Sequence, residues 1–332
     1  MTVLSSVRFN LVQPGPADDG APARLHDRYR AALDMAAYAD ESGITSAIVE
    51  EHHGSPDGWL PAPLTLAGLI LGRTRRLTVT ACAVIAPLYD PLRLAEEIAV
   101  LDLASGGRLV TVAGIGYRPE EYEALGVEWK ERGRLQDEAL ETLLAAWTGE
   151  PFPFRGRTVR VTPRPYSKPR PMLFAGGSSR PAARRAARLG LPLFVAAHLP
   201  ELEAYYYEQC ARHGTEDRGL CMMPPSDQSL LHVTEDPDRA WATLGEHFLY
   251  EARTYASWQT SDVHSAVRSG ARSVEDLRAE GIYRFVTPEE CVELARASGQ
   301  LTLHPLCGGM PVDEGWRSLH LLGERVLPRL EG

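Results

Sequence analysis

Residues 77–116 read LTVTACAVIAPLYDPLRLAEEIAVLDLASGGRLVTVAGIG, and this stretch decides the fold. Leu77 to Ala86 is an almost continuous apolar run, the pattern of a strand buried on both faces. Asp90-Pro91 supplies a helix N-cap followed by proline at the first helical position. Leu94, Ile98 and Leu101 then recur at helical spacing, and Gly106-Gly107 stops the helix. Arg108 to Ala113 is a second buried strand. Strand, helix and strand in this order make a unit whose two strands run parallel.

The same alternation extends outward in both directions. Upstream, Val7 to Val12 reads as a strand, followed by a loop rich in Pro, Gly and Asp. Asp27 is placed to cap a helix with Tyr29, Ala32, Leu33, Ala36 and Ala37 inward, and Gly43 ends it. Ile44 to Val49 is the next strand, and a helix follows from about Pro61 to Arg73. Downstream comes a helix with Leu135, Ala139, Leu143 and Ala146 inward, then a small hairpin from Phe152 to Val161. Further strands fall at Pro171 to Ala175, Leu193 to Ala196, Met222 to Val233 and Leu301 to Leu306, and a last helix carries Trp316, Leu319, Val326 and Leu327. Eight strands alternating with helices predict one (β/α)8 TIM barrel over residues 1–332, in preference to a doubly wound open sheet. Tyr255 to Phe285 breaks the pattern: it is polar and lacks an apolar period. Lying between the seventh and eighth strands, it would be an insertion over the C-terminal face, read as an active-site lid, with a plain disordered insertion as the alternative.

The chain has 332 residues and a formal net charge of −9, with no basic run, which argues against nucleic-acid binding and against docking on anionic membranes. The N-terminal stretch lacks a signal-peptide layout, and no apolar stretch is long enough to span a bilayer. The five cysteines, Cys82, Cys210, Cys221, Cys291 and Cys307, are scattered and form no C-x-x-C pair. Neither a disulfide framework nor a zinc site is expected, no metal is assigned, and a reducing cytoplasm is the expected location.

In an α/β barrel the chemistry sits just after each strand. The second strand delivers Glu50-Glu51-His52-His53, and the fourth delivers Gly114-Ile115-Gly116-Tyr117. The fifth delivers Gly176-Gly177-Ser178-Ser179, and the eighth delivers His304-Pro305-Leu306-Cys307-Gly308-Gly309. The glycines let backbone approach a ligand, and two serines at a helix start suit an anion such as phosphate; a well-capped helix after a tight turn is the alternative. Of the arginines that follow, only Arg180 is near enough to help hold a phosphate. Histidine is the usual general base; a satisfied polar loop residue is the other reading of His52 and His53, and it weighs more for His53 than for His52. Their adjacency makes joint metal ligation awkward, and no H-E-x-x-H is present. Gly114-x-Gly116 lacks the third glycine of a dinucleotide fingerprint and serves better as clearance beneath a flat ligand, as do Ala81-Cys82-Ala83.

Taken together, these segments resemble the luciferase-like flavin-dependent monooxygenases, or LLM-class flavin-dependent oxidoreductases. The resemblance rests on Glu51-His52-His53-Gly54, Leu77 to Pro87, Asp90-Pro91 through Arg108, Gly114 to Gly126 with Pro119-Glu120-Glu121-Tyr122, Ala175 to Ser179, and Gly308-Gly309-Met310-Pro311 through Pro328. It spans nearly the whole chain in the correct order. It implies His52 as the catalytic base near the flavin. It implies that Cys82-Ala83 forms a non-proline cis peptide whose bulge supports the isoalloxazine ring, with Gly114, Gly116 and Tyr117 also at the cofactor. Gly176, Gly177, Ser178 and Ser179 would hold the flavin phosphate. Where some members carry cysteine or arginine, this chain has Gly114 and Ile115, which puts an arginine–phosphate contact in doubt.

The implied chemistry is that of reduced FMN, delivered by a separate flavin reductase, reacting with O2 to a C4a-peroxide that oxygenates an aldehyde, ketone or similar small molecule. The resemblance further implies a homodimer. Its alternatives are an F420-dependent hydride-transfer oxidoreductase and a non-catalytic flavin-binding protein; outside it stands a flavin-free barrel hydrolase. Trp59, Tyr89, Tyr117, Tyr255 and Trp258 are candidates for an apolar substrate pocket, with ordinary packing as the other reading of each.

Overall fold

The structure is a computed structural model that describes residues 3–15, 20–260 and 263–330. Its strands are β1 (Leu4–Phe9), β2 (Ser46–Val49), β3 (Thr78–Ile85), β4 (Leu109–Gly114), β5 (Phe152–Phe154), β6 (Arg157–Val159), β7 (Met172–Gly176), β8 (Leu193–Phe194), β9 (Cys221–Met222), β10 (Leu230–Val233), β11 (Tyr283–Val286) and β12 (Gln300–Leu303). The helices are α1 (Ala21–Glu41), α2 (Pro63–Arg73), α3 (Pro91–Ser105), α4 (Pro119–Ala124), α5 (Arg132–Ala146), α6 (Arg180–Leu189), α7 (Pro200–His213), α8 (Pro237–Trp258), α9 (Val274–Glu280), α10 (Pro288–Ser298) and α11 (Val312–Leu321).

β5 and β6 form the expected small hairpin, paired antiparallel. The other strands form one sheet in the order β11-β10-β12-β1-β2-β3-β4-β7-β8-β9, and every pairing in it is parallel. From β1 to β9 the strands of this sheet follow one another as neighbours, and the last strand, β12, lies beside the first, as in a barrel; β10 lies between β11 and β12, out of chain order. The fold class is α/β, as the alternation predicts. The ladder ends at β9 and β11, with no pairing between them among the described residues.

The βαβ unit at 77–116 forms as read. Asp90 accepts from the backbone N–H of Leu92 and Arg93, and Gly106 closes α3 in the left-handed conformation. Leu94 and Ile98 are fully buried against Val79, Ala81 and Leu109 in a core that runs between sheet and helices.

Three expectations are corrected. The first helix begins at Ala21 with Gly20 as N-cap and a proline in its first turn, so Asp27 lies inside it and not at its cap. The seventh strand is two: β9 pairs only β8, and β10 pairs β11 and β12, because Pro224 and Pro225 between them have no N–H to give a ladder. The stretch from Tyr255 to Phe285 is not irregular throughout. It holds the end of the 22-residue α8, the capped helix α9 and most of β11, leaving 259–273 without a helix or strand; Ser261 and Asp262 lie outside the described residues.

Candidate active site

β2, β3, β4 and β7 are consecutive in the sheet and parallel, so the residues that follow them share one edge. That edge brings together His52, Cys82-Ala83, Gly114 to Tyr117 and Gly176 to Ser179. Cys82-Ala83 is a cis peptide, and the β3–β4 register shifts between Cys82 and Val84. Gly114 answers this bulge: a Cβ there would stand 2.8 Å from the Ala83 Cβ, closer than carbon atoms tolerate. Burial, and next the Glu50 carboxylate, push the Cys82 thiol up to about 12, so it is a neutral small side chain and no nucleophile.

At the end of β7, Gly177 adopts φ +152°, and a Cβ on it would fall 2.6 Å from the Ala182 Cβ in the first turn of α6. Ser179 is the N-cap of α6, accepting from Ala182 N. Ser178 Oγ accepts from Ala196 N at 3.1 Å, which leaves its own hydroxyl proton to donate elsewhere. Arg180 is turned onto the Tyr205 ring, 4.9 Å from its centroid. The glycine-serine turn thus joins a tight backbone, an available hydroxyl and a helix start, a donor set that fits the phosphate of a flavin.

His52 is buried among aromatic rings. Its centroid lies 4.8 Å from Trp258, 5.5 Å from Trp59, 5.7 Å from Tyr117 and 5.9 Å from Tyr255. Its Nδ1 is 3.2 Å from Glu121 Oε1, and its Nε2 is 3.4 Å from the Tyr117 hydroxyl. The same Glu121 oxygen accepts from His53 N at 3.0 Å and from Arg118 Nη1 at 3.1 Å. Burial alone would raise the Glu121 pKa, but His52, the His53 amide and Arg118 outweigh it and hold the carboxyl below its ordinary range. A carboxylate at Nδ1 keeps the imidazole proton there and leaves Nε2 as the basic atom.

His53 faces the other way, with Nε2 at 2.8 Å from Glu51 Oε1. That hydrogen bond raises its pKa above the ordinary histidine value. Glu51 also accepts from Tyr89 Oη at 2.9 Å and Ile85 N at 2.7 Å, so it ties the His52 loop to the end of β3. Tyr89 is therefore engaged away from His52, whereas Trp59, Tyr117, Tyr255 and Trp258 do surround it. Behind them, Arg8 pairs with Glu50 and donates to Tyr255 Oη at 2.7 Å, while Tyr255 Oη donates to Glu50 Oε2 at 2.6 Å. His304, at the end of the last strand, is fully buried 3.1 Å from Glu251 Oε2, which also accepts from Asn10 Nδ2 and Cys307 Sγ.

The sequence reading quoted Glu121 only as part of the resemblance and gave neither it nor Arg118 a role. Their signal was present: an Arg and a Glu at i,i+3 directly after the fourth strand, in the loop that carries Tyr117.

The profile of the family described as luciferase-like monooxygenase matches residues 7–303. The chain belongs to that family. Among solved structures, the monooxygenase RslO1 from Streptomyces bottropensis has the same fold, with a TM-score of 0.75 over 98% of this chain and 99% of that one at 24% identity. Two curated relatives carry different cofactor names. An F420-dependent glucose-6-phosphate dehydrogenase of Nakamurella multipartita is 28% identical over 90% of this chain and 91% of that protein. An FMNH(2)-dependent dimethylsulfone monooxygenase of Pseudomonas putida is 32% identical over 38% of this chain and 37% of that one. The chain spans about half the length of several curated relatives it matches, 49% and 55% in two cases. No helix among the described residues is long and apolar enough to cross a membrane.

Proposed function

We propose that this protein is a flavin-dependent monooxygenase that takes reduced FMN and O2 and oxygenates a small organic substrate of the aldehyde or ketone kind. The observation that carries the reading is the setting of His52: a buried imidazole with Glu121 at Nδ1 and a basic Nε2, on the same strand-end edge as the glycine-serine turn. Gly177, Ser178 and Ser179 hold the flavin phosphate, with Gly176 beside them. Cys82, Ala83, Gly114 and Gly116 lie beneath the ring, and Tyr117 flanks it. Bound reduced FMN supplies the electrons that activate O2, so that one oxygen atom enters the substrate and the other leaves as water. His52 acts as the base at Nε2, and the aromatic rings around it keep water from the reacting centre. Within the stretch from Tyr255 to Phe285, the described residues that carry no helix or strand, chiefly 263–273, close over the edge as a lid.

Reduced FMN comes from a separate reductase, and the enzyme works in the cytoplasm. A homodimer forms through α2 and α3, whose Leu69, Val100 and Leu103 are exposed apolar side chains. The second reading, hydride transfer with F420, is favoured by the near full-length alignment to the F420-dependent dehydrogenase.

The test is turnover with enzymatically reduced FMN and isotopically labelled O2, using decanal and 1-tetralone as probe substrates. Label in the product is expected, with His52→Ala lowering coupled turnover by about 10²–10⁴-fold. Unchanged coupled turnover in His52→Ala would sink the role of His52. F420-dependent reduction or oxidation without O2 uptake would replace the monooxygenase reading by the second.

A further inference from the structure

The ring lying against His52 belongs to the protein itself. Trp258 packs against two groups that suit an aromatic ring: the Arg118 guanidinium lies over its face, 4.1 Å from its centroid, and the His52 imidazole meets it tilted by 48° at 4.8 Å. Trp59 meets its side at 4.9 Å and Tyr255 at 6.0 Å. The walls are fixed. Trp59 is 1% exposed, Tyr255 is held by Arg8 and Glu50, and Arg118 donates to Glu121 and to the His53 carbonyl. Trp258 is different. It is half-buried, it is the last residue of α8, and the described residues after it carry no helix or strand until α9.

A second observation points to a ligand. The Trp59 Nε1 and Arg118 Nε donors are both buried with no hydrogen-bond partner among the described residues, and both residues lie against Trp258. A buried N–H without an acceptor is costly, by about 1–3 kcal/mol. A ring that carries an oxygen acceptor would relieve that cost; the Trp258 indole, a donor only, cannot.

We propose that the slot between Arg118 and His52 is the substrate position for a planar aromatic ring bearing a carbonyl or phenolic oxygen, and that Trp258 occupies it as a stand-in until substrate displaces it. This rests on reading the edge at His52 as the active site. The Arg118 guanidinium over the ring face and the aromatic edges around it select aromatic over linear substrates through cation–π attraction and edge-to-face contact. Displacement of Trp258 couples substrate entry to movement of the segment that follows it.

The experiment is calorimetric binding of 1-tetralone and decanal to the purified full chain, to Trp258→Ala and to Trp258→Phe, with a thermal melt of each to verify folding. Tetralone is expected to bind wild type at least tenfold tighter than decanal. Trp258→Ala should tighten tetralone at least tenfold further, because no indole has to leave, and Trp258→Phe should fall between. Equal binding of the two probes, or a Trp258→Ala variant that melts normally but binds tetralone no better or worse, would overturn the proposal by making Trp258 an ordinary wall. Binding is read without turnover, so the two readings fail separately. The expected binding pattern without labelled product would refute the monooxygenase and keep the slot. Label entering decanal while tetralone fails to bind would do the reverse.

Discussion

The two sides of the sheet are built differently. From β1 to β7 the strands run for four to eight residues, their register is continuous apart from the bulge at Cys82, and their C-terminal ends carry glycines, alanines and the paired His52. From β8 to β11 they shorten to two residues at β8 and β9, two prolines split what reads as one strand, and the ladder stops. The first side is a rigid floor on which a ligand's position can be fixed. The second carries the chain segments that approach that floor from above, α8 and the residues after it. Rigid positioning and adaptable cover are separate demands, and the molecule assigns them to separate strands.

Acid should hurt the second side most. His232, in β10, has its pKa lowered from 6.5 to about 3 by burial and by the neighbouring His304. An unfolded chain takes up this proton as pH falls through 6.5, whereas the folded chain does not until about pH 3. His232 therefore contributes stability that is complete above pH 6.5 and lost on the way down to about pH 3. Urea unfolding should show a loss of about 1–2 kcal/mol between neutrality and pH 5 that is reduced in His232→Gln. An identical loss in that variant would remove His232 from the account.

On the first side the sharpest probe is steric. Gly114→Ala places a methyl against Ala83 across the bulge and should cost about 1–3 kcal/mol of stability, with weaker FMN binding. A fully stable variant that binds FMN normally would mean the floor is softer than drawn. The smallest effect belongs to Met222→Lys at the sheet's end. Met222 is 45% exposed, so the change should stay within about 0.5 kcal/mol. A large loss there would show that β9 is covered by something and that the two sides are less distinct.

The same contrast explains what could be read from sequence. On the first side, local signals agree with one another. The apolar run at 77–86, the Asp90-Pro91 start, the Gly106 stop and the helix-opening Ser179 each predict the structure that forms. On the second side, strand identity depends on partners distant in the chain. β11 looks polar because Arg284 alternates with Tyr283 and Phe285, and only its pairing with β10 makes it a strand. The site divides likewise. His52 and the turn at Gly177 follow strands and were legible from position. Glu121 was not, because its role comes from a contact with His52 across 69 residues of chain. The gathering of Trp59, Tyr117, Tyr255 and Trp258 was nameable as a set, but their edge-to-face and tilted arrangement around His52 is a property of tertiary packing alone.

The most direct test of the central claim is an anaerobic titration of the protein with reduced FMN, run in parallel on Gly177→Val and Ser178→Ala and repeated with F420. The account predicts saturable binding of reduced FMN at one site per chain, weakened at least about tenfold by Gly177→Val and less by Ser178→Ala. Binding of F420 but not of reduced FMN, or FMN affinity indifferent to both substitutions, would contradict it.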